Sequence, residues 1–255
     1  MQVNQKNELI KISAKLADKC KTLNFGLDVA AVYNPLVYAA EPHSKYLELA
    51  GTAPKKIIFL GMNPGPWGMA QTGVPFGEIA AVRDWLGINA PVGKPTAEHP
   101  KRPIEGFACK KSEVSGRRLW GLFRERFGTP AKFFKEHFVA NYCPLTFMNS
   151  NGANITPNKL RPEESKPLFE ACDRTLAEII ILLKPQWIIG IGGFAKKRID
   201  KVHENFFNEN RDGVIKSLHQ FSTVQILHPS PASPKANAGW EKEVTKTMTE
   251  MGVWK

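Results

Sequence analysis

The sequence predicts an α/β fold of three layers, with helices on both faces of a central, mostly parallel four-stranded sheet. Three observations carry that expectation. Four short apolar runs each stop at glycine or proline, segments of helical spacing lie between them, and none of the four runs shows regular polar alternation. Strands of that kind are expected to be buried on both faces. At 255 residues the chain suits one domain, residues 1–255, with room for a sizeable core.

Taken in order, Leu9, Ile12, Leu16, Cys20 and Leu23 recur at steps of three and four, which predicts an N-terminal packing helix. The first strand is expected over Lys56–Leu60, ending at Gly61 ahead of Pro64 and Pro66. Leu119, Trp120, Leu122, Phe123 and Phe127 form the apolar stripe of a helix expected over Ser112–Phe127, with arginines making up much of its polar face. A second strand is expected over His137–Tyr142, before Pro144. Pro162 with Glu163 and Glu164 suits the first turn of a helix, since proline needs no amide partner there and acids favour the positive end of the dipole. That helix should run to Leu183, where Lys184-Pro185 stops it. Strands over Trp187–Ile191 and Thr223–Leu227 complete the sheet, and Trp240, Val244, Met248 and Met251 mark a C-terminal helix. Residues 90–103 read as a proline-rich, basic loop.

The balance of 35 Lys+Arg against 24 Asp+Glu leaves a formal charge of +11, a field that attracts polyanions, with nucleic acid the leading candidate. No stretch reaches the roughly 18 apolar residues of a membrane span, and the N-terminal segment lacks the apolar core of a signal peptide, so a protein neither secreted nor bound to membranes is expected. Cys20, Cys109, Cys143 and Cys172 lie dozens of residues apart, without the close pairs of zinc or iron–sulfur sites; they read as free thiols. No metal and no cofactor are expected.

In open parallel sheets ligands bind beyond the carboxyl ends of the strands. Three of those ends are rich in polar or constrained residues: the run from Gly61 to Glu78, GMNPGPWGMAQTGVPFGE; Asn141-Tyr142-Cys143-Pro144; and His228-Pro229-Ser230-Pro231. Singly, an asparagine in a Gly/Pro loop is commonly a turn residue and a histidine at a strand end is commonly structural. Together, Asn63, Asn141 and His228 at one sheet edge make a polar pocket with no carboxylate among them, which disfavours acid–base hydrolases. Gly190-Ile191-Gly192-Gly193 lacks the third glycine of a dinucleotide motif and reads as a close strand-to-helix turn.

The run GMNPGPWGMAQTGVPFGE and the later HPSPASPKANAGW are similar to the two signature motifs of the single-strand-selective monofunctional uracil-DNA glycosylases. SEVSGRRLWGLF from Ser112 and NYCPL from Asn141 extend the resemblance over about Lys56 to Trp240. The resemblance implies the glycosylase fold and a monofunctional enzyme that flips and excises uracil, acting as a monomer on single- and double-stranded DNA. No obligate protein partner is expected. The compartment would be the nucleus in a eukaryote or the nucleoid-associated cytoplasm in a bacterium. Asn63 would hold the attacking water and His228 would donate to uracil O2. Met62, Gly65, Phe76 and Asn141 would form the base pocket, with Phe76 stacking on the ring and Asn141 pairing with O4 and N3–H. Gly65 stands where other uracil glycosylases carry a bulky tyrosine that excludes the thymine methyl; the glycine is expected to leave room for 5-substituted uracils such as 5-hydroxymethyluracil.

For DNA, the resemblance places a wedge on the loop Ala232–Ala238 after His228, and the contact residues are Ser230, Pro231, Ala232, Ser233, Pro234 and Lys235, together with Arg117 and Arg118. Ala232 departs from the arginine that members of the family carry there, so a blunter wedge is expected. Two alternatives stay open: a related subfamily acting on xanthine or hypoxanthine, and a nucleic-acid-binding protein without catalysis.

Overall fold

The computed structural model describes residues 2–51, 54–207 and 220–255. In chain order the elements are α1 (Gln2–Lys21), β1 (Ala31–Tyr33), α2 (Pro35–Tyr38), α3 (Ala40–Ala50), β2 (Ile57–Gly61), α4 (Met69–Thr72), α5 (Val114–Phe127), α6 (Pro130–Glu136), β3 (His137–Asn141), β4 (Thr146–Met148), β5 (Asn154–Ile155), α7 (Pro162–Leu183), β6 (Trp187–Ile191), α8 (Gly193–Val202), β7 (Ser222–Ile226) and α9 (Pro234–Glu250).

The four expected strands form one sheet in the order β3-β2-β6-β7, every pair parallel. The chain therefore moves outward from β2 to β3 on one side and returns through β6 to β7 on the other. That reversal puts the crevice of an open α/β sheet at the C-terminal ends of β2 and β6. Helices cover the sheet on both sides, giving the three-layer arrangement the sequence predicts. Burial on both faces holds for β2, whose residues are all buried, and fails for β7, where Ser222 and Gln225 are exposed. As an edge strand β7 has one flank open, and its polar residues mark it.

The main core includes a connected group of aromatic rings. Phe123 of α5 stacks on Phe133 of α6 at 4.6 Å and lies 4.8 Å from Phe59 of β2, while Trp120 meets Tyr46 of α3 edge-on. These rings seat α5 against the sheet, which matters because α5 supplies one wall of the site. The predicted α7 limits are met, with Pro162 in the first turn and Lys184 in a left-handed conformation at the end. The N-terminal helix ends at Lys21, so Leu23 packs on the core from beyond it.

A small antiparallel sheet, β1-β4-β5, was not expected from the sequence. The cysteines far apart in sequence also converge: Cys20, Cys143 and Cys172 share the main core. Burial pushes the Cys20 thiol up to about 12 and holds Cys172 well above its usual range, which leaves both unreactive.

Candidate active site

Past the sheet edge the loops following β2 and β3 stay zipped together. Tyr142 N–H donates to Gly61 O at 3.0 Å, Cys143 N–H to Met62 O at 2.8 Å, and Thr146 Oγ1 to Pro64 O at 3.3 Å. Within this brace the Asn63 amide donates from Nδ2 to Leu145 O at 3.1 Å. A carbonyl accepts only from the nitrogen, so the bond settles which way the amide points and leaves Oδ1 as an acceptor for a ligand or water.

Asn141 ends β3, in register with Gly61 of β2. Its Nδ2 donates to the Met69 thioether at 3.2 Å, while Oδ1 is buried with no partner among the described residues. An orphaned buried acceptor costs on the order of 1–3 kcal/mol, a cost removed when a ligand supplies a donor. Phe76 stands beside it in a left-handed backbone conformation, φ 52°, unusual for a bulky residue. Two contacts with α5 hold it there: Trp120 Nε1 donates to Pro75 O at 3.2 Å, and Gly116 lies so close that a Cβ would come within 2.0 Å of Phe76 O. Gly61 makes the juxtaposition possible. A Cβ on it would lie 2.4 Å from both Asn141 Oδ1 and the Phe76 ring.

His228 comes after β7, its ring 6.3 Å from that of Phe76 and tilted by 44°. Burial lowers its pKa from the ordinary 6.5, which favours the neutral imidazole. Gly192, at φ 86° after β6, backs onto it, with a Cβ there meeting His228 Cβ at 3.2 Å. The Gly190–Gly193 run is thus the close strand-to-helix turn the sequence suggested. The turn that carries His228 is gripped through its carbonyls: Trp240 Nε1 donates to Leu227 O at 2.7 Å, Arg118 to Pro229 O at 3.0 Å, and Asn237 to Pro231 O at 2.8 Å.

Asn63, Asn141, His228, Met62, Gly65 and Phe76 line one cavity of about 490 Å³, a volume suited to a small organic ligand. Two expectations need correction here. The pocket was read as free of carboxylates, yet Glu113, immediately before α5, lines it. Gly65 was read as leaving open room, yet a Cβ at Gly65 would lie 1.7 Å from Glu113 Oε1, so the glycine's space is already filled by that carboxyl. Burial, with Glu78 nearby, raises the Glu113 pKa to about 7. An acid just before a helix reads from sequence as a dipole partner; only the fold shows it turned across the cavity wall.

The residues assigned to DNA contact differ in their surroundings. Pro231, Ala232, Pro234, Lys235 and Arg117 are exposed, and Ser230 and Pro231 also line the cavity. The proposed wedge is shorter than a loop over 232–238: Ser233 caps α9, accepting from Ala236 N–H at 3.3 Å, so Pro234 and Lys235 already sit in the first helical turn. Arg118 differs more. Its guanidinium is bonded to Pro229 O and, at 2.9 Å, to Asn237 Oδ1, which makes it a brace of the His228 turn. Sequence reasoning also passed over Gln71, wholly buried, whose amide bonds Pro66 O, Pro103 O, Glu105 N–H and Gly106 N–H and so ties the basic loop to the Asn63 loop. A glutamine inside an apolar stretch, with four hydrogen-bonding positions to satisfy, was the available signal.

Among the described residues no group of three or more His, Cys, Asp or Glu could hold a metal ion, and no helix is long and apolar enough to cross a membrane. The cavity instead offers three amides (Asn63, Asn141 and Asn154), the imidazole of His228, the rings of Phe76 and Trp67, and the carboxyl of Glu113. Such a set can grip a flat polar heterocycle by its edge and its face.

Comparison with known proteins agrees. Residues 50–249 match the model of the uracil DNA glycosylase superfamily. The chain is 44% identical over 239 residues to a single-strand selective monofunctional uracil DNA glycosylase of Bos taurus, covering 94% of this chain and 84% of that protein. It is 42% identical over 246 residues to the Mus musculus protein of the same description, covering 96% and 83%. The crystal structure of wild-type SMUG2 from Pedobacter heparinus superposes with a TM-score of 0.59 at 16% identity, over 94% of this chain and 97% of that one, a likeness of fold. The chain belongs to the single-strand-selective monofunctional uracil-DNA glycosylase family of the uracil DNA glycosylase superfamily.

Proposed function

We propose that this protein excises uracil, and uracils substituted at C5, from DNA to leave an abasic site, the whole chain acting as one monomeric domain. The observation that supports this reading best is the unpartnered Oδ1 of Asn141, a residue that lines one cavity with Asn63 and His228. Uracil presents N3–H to that oxygen and O4 to the amide nitrogen. Cytosine reverses both groups, and the mismatch would leave buried polar atoms unpaired. Met69, an acceptor only, favours the required orientation by taking the other amide hydrogen. Phe76 stacks on the ring, with Met62 and Gly65 completing the pocket.

With the base so held, His228 donates to O2 as the N1–C1′ bond breaks and the electron pair passes to the base. A neutral donor suffices, because the charge it meets is the departing anion's. Asn63 Oδ1 holds a water against C1′ of the oxocarbenium-like sugar. The water oxygen bonds to C1′, and the proton it sheds ends on N1 of the released base, so neutral uracil and an abasic hydroxyl remain. Among the described residues no lysine lines the cavity, in keeping with hydrolysis in place of lyase chemistry.

The target base must leave the stack to reach these groups, and the exposed turn at Pro231 and Ala232 is placed to fill the gap. Arg117 and Lys235, both exposed, serve as phosphate contacts. Arg118 is given a second role by its bonds to the turn. Arg118→Ala should therefore slow excision about tenfold or more at saturating DNA, since misplacing a catalytic group costs rate directly. Arg117→Ala should instead weaken binding and reduce the salt slope by about one. Single-turnover rates and salt-dependent binding separate the two; an Arg118 variant altered only in binding would make it a phosphate contact. We place the activity in the nucleus of a eukaryote or the nucleoid of a bacterium.

The substrate range is tested with labelled oligonucleotides, single- and double-stranded, carrying uracil, 5-hydroxymethyluracil, xanthine or cytosine. Alkali-sensitive abasic sites are expected for the first two and none for cytosine. Intact 5-hydroxymethyluracil beside excised uracil would confine the enzyme to uracil, and preferential loss of xanthine would favour the alternative subfamily.

A further inference from the structure

Trp67 lies on the same loop as Asn63, is half-buried and lines the same cavity. The Arg102 guanidinium stands over its ring, 5.1 Å from the centroid. That guanidinium donates to Lys101 O at 3.1 Å and pairs with no carboxylate among the described residues, and its Nε is sealed from solvent without a partner. Burying part of a cation without a counter-ion is unfavourable, so other contacts have to hold it there. The backbone supplies them. Gln71 Nε2 donates to Pro66 O at 3.1 Å and to Pro103 O at 3.0 Å, the residues next to Trp67 and to Arg102. Tyr33 Oη donates to Arg102 O at 2.7 Å. One buried glutamine thus ties together the two segments that bring ring and cation into contact.

The surroundings show what such a pair would receive. Residues 101–111 hold four basic residues and a single acid, Glu105. Lys101, Lys110 and Lys111 are exposed. The basic segment meets the cavity wall at both ends, through Arg102 over Trp67 and through Ser112, which lines the cavity. A basic tract beside an aromatic ring is how proteins hold unpaired nucleic acid: cations follow the phosphates and a base lies on the ring. Every base has a π face, so this stacking needs no particular sequence.

We propose that Trp67, backed by Arg102, is a stacking platform for the nucleobase next to the flipped uracil, engaged when that neighbour is unpaired. The inference rests on the uracil placement proposed above. In a duplex the neighbour is already paired and stacked, so the platform has little to offer it. In a single strand the platform fixes the nucleotide joined to the target and so steadies the target's entry into the cavity. Because Arg102 occupies one face of the indole, a single base stacks, on the other face.

The test is a cycle of changes in protein and substrate, read as kcat/KM for abasic-site formation. Single-stranded oligonucleotides carry uracil between ordinary nucleotides, or with a propanediol spacer replacing the nucleotide on one side or on the other. For the wild type the spacer is expected to lower kcat/KM about tenfold, on one side only, the effect of losing one stacked base. Trp67→Ala should be about tenfold slower on the ordinary strand and lose nothing further with the spacer. Trp67→Phe keeps a ring and should keep the dependence on the neighbour, and Arg102→Gln should weaken that dependence about threefold. Trp67→Ala should also lose more on the single strand than on the same sequence annealed to its complement.

A side chain that only shaped the wall would give one loss, whether a nucleotide or a spacer stood beside the uracil. The proposal is overturned by a wild type indifferent to the spacer on both sides, by a Trp67→Ala loss that adds in full to the spacer's, or by an equal loss on single strand and duplex. An Arg102→Gln loss of one size with nucleotide and with spacer would make Arg102 a phosphate contact and overturn its part. Circular dichroism checks folding, and Trp67→Leu takes the place of the alanine variant if that one does not fold. If the wild type releases no uracil from either form, the proposed function fails; if it releases uracil without regard to the neighbour, only the platform fails.

Discussion

Replacing His228 by alanine is expected to slow uracil release by about 100- to 1000-fold, the usual cost of removing one donor to a developing anion. The loss should appear in the single-turnover rate constant, with DNA binding little changed, because the donor meets its charge only as the bond breaks. The lowered pKa of His228 adds a sign. A histidine whose folded pKa lies below its usual value is neutral above the ordinary range, so the N–H that matters persists as pH rises. Measured in Glu113→Gln, which removes the other titratable group of the cavity, the rate on uracil should be level from pH 6.5 to 8. A fall of about tenfold per unit would instead identify the charged imidazolium as the working form.

Gly61→Ala should have an effect of comparable size from a position that touches no substrate. One methyl group would enter the 2.4 Å gaps to Asn141 Oδ1 and the Phe76 ring, and neither neighbour can yield easily. Asn141 is held by β3 pairing and by Met69, and Phe76 by its strained backbone against α5. Overpacking of this kind costs about 1–3 kcal/mol in stability. Shifting the amide by a fraction of an ångström should also cost about 100-fold in uracil excision, since the base is read by that amide. Gly121→Ala is the control: it lies on the exposed face of α5 with nothing within 4 Å of its Cβ, and should raise the melting temperature without changing activity. Equal activity in the two variants would mean that the Asn141–Phe76 juxtaposition does not matter.

Much of the site was readable in the sequence because its chemistry sits at strand ends. β2, β3, β6 and β7 show up as short apolar runs, and the residues immediately after each run are the natural candidates for ligand contact. Asn63, Asn141 and His228 come from three such ends, and the structure brings all three to one cavity. β1, β4 and β5 were not legible, being two or three residues long, too short for any periodicity to show. Nor was the place of Glu113 in the cavity wall, where Gly65 and Gly68 leave space for its carboxyl. Arg118 illustrates the same limit. A basic residue on a polar helix face reads as a phosphate contact, and only its bonds to Pro229 and Asn237 give it to the turn that carries His228.

If an amide-held water and a neutral imidazole suffice to cut the glycosidic bond, excision needs Asn63 and needs no metal. Both requirements are tested together by following abasic-site formation in a labelled uracil-containing oligonucleotide, under single-turnover conditions in EDTA, for the wild type and for Asn63→Ala. Alkali-sensitive sites are expected with the wild type, and a rate at least about 100-fold lower for Asn63→Ala, whose methyl group cannot position water. Absence of cleavage by the wild type in EDTA, or full activity in Asn63→Ala, would contradict the mechanism.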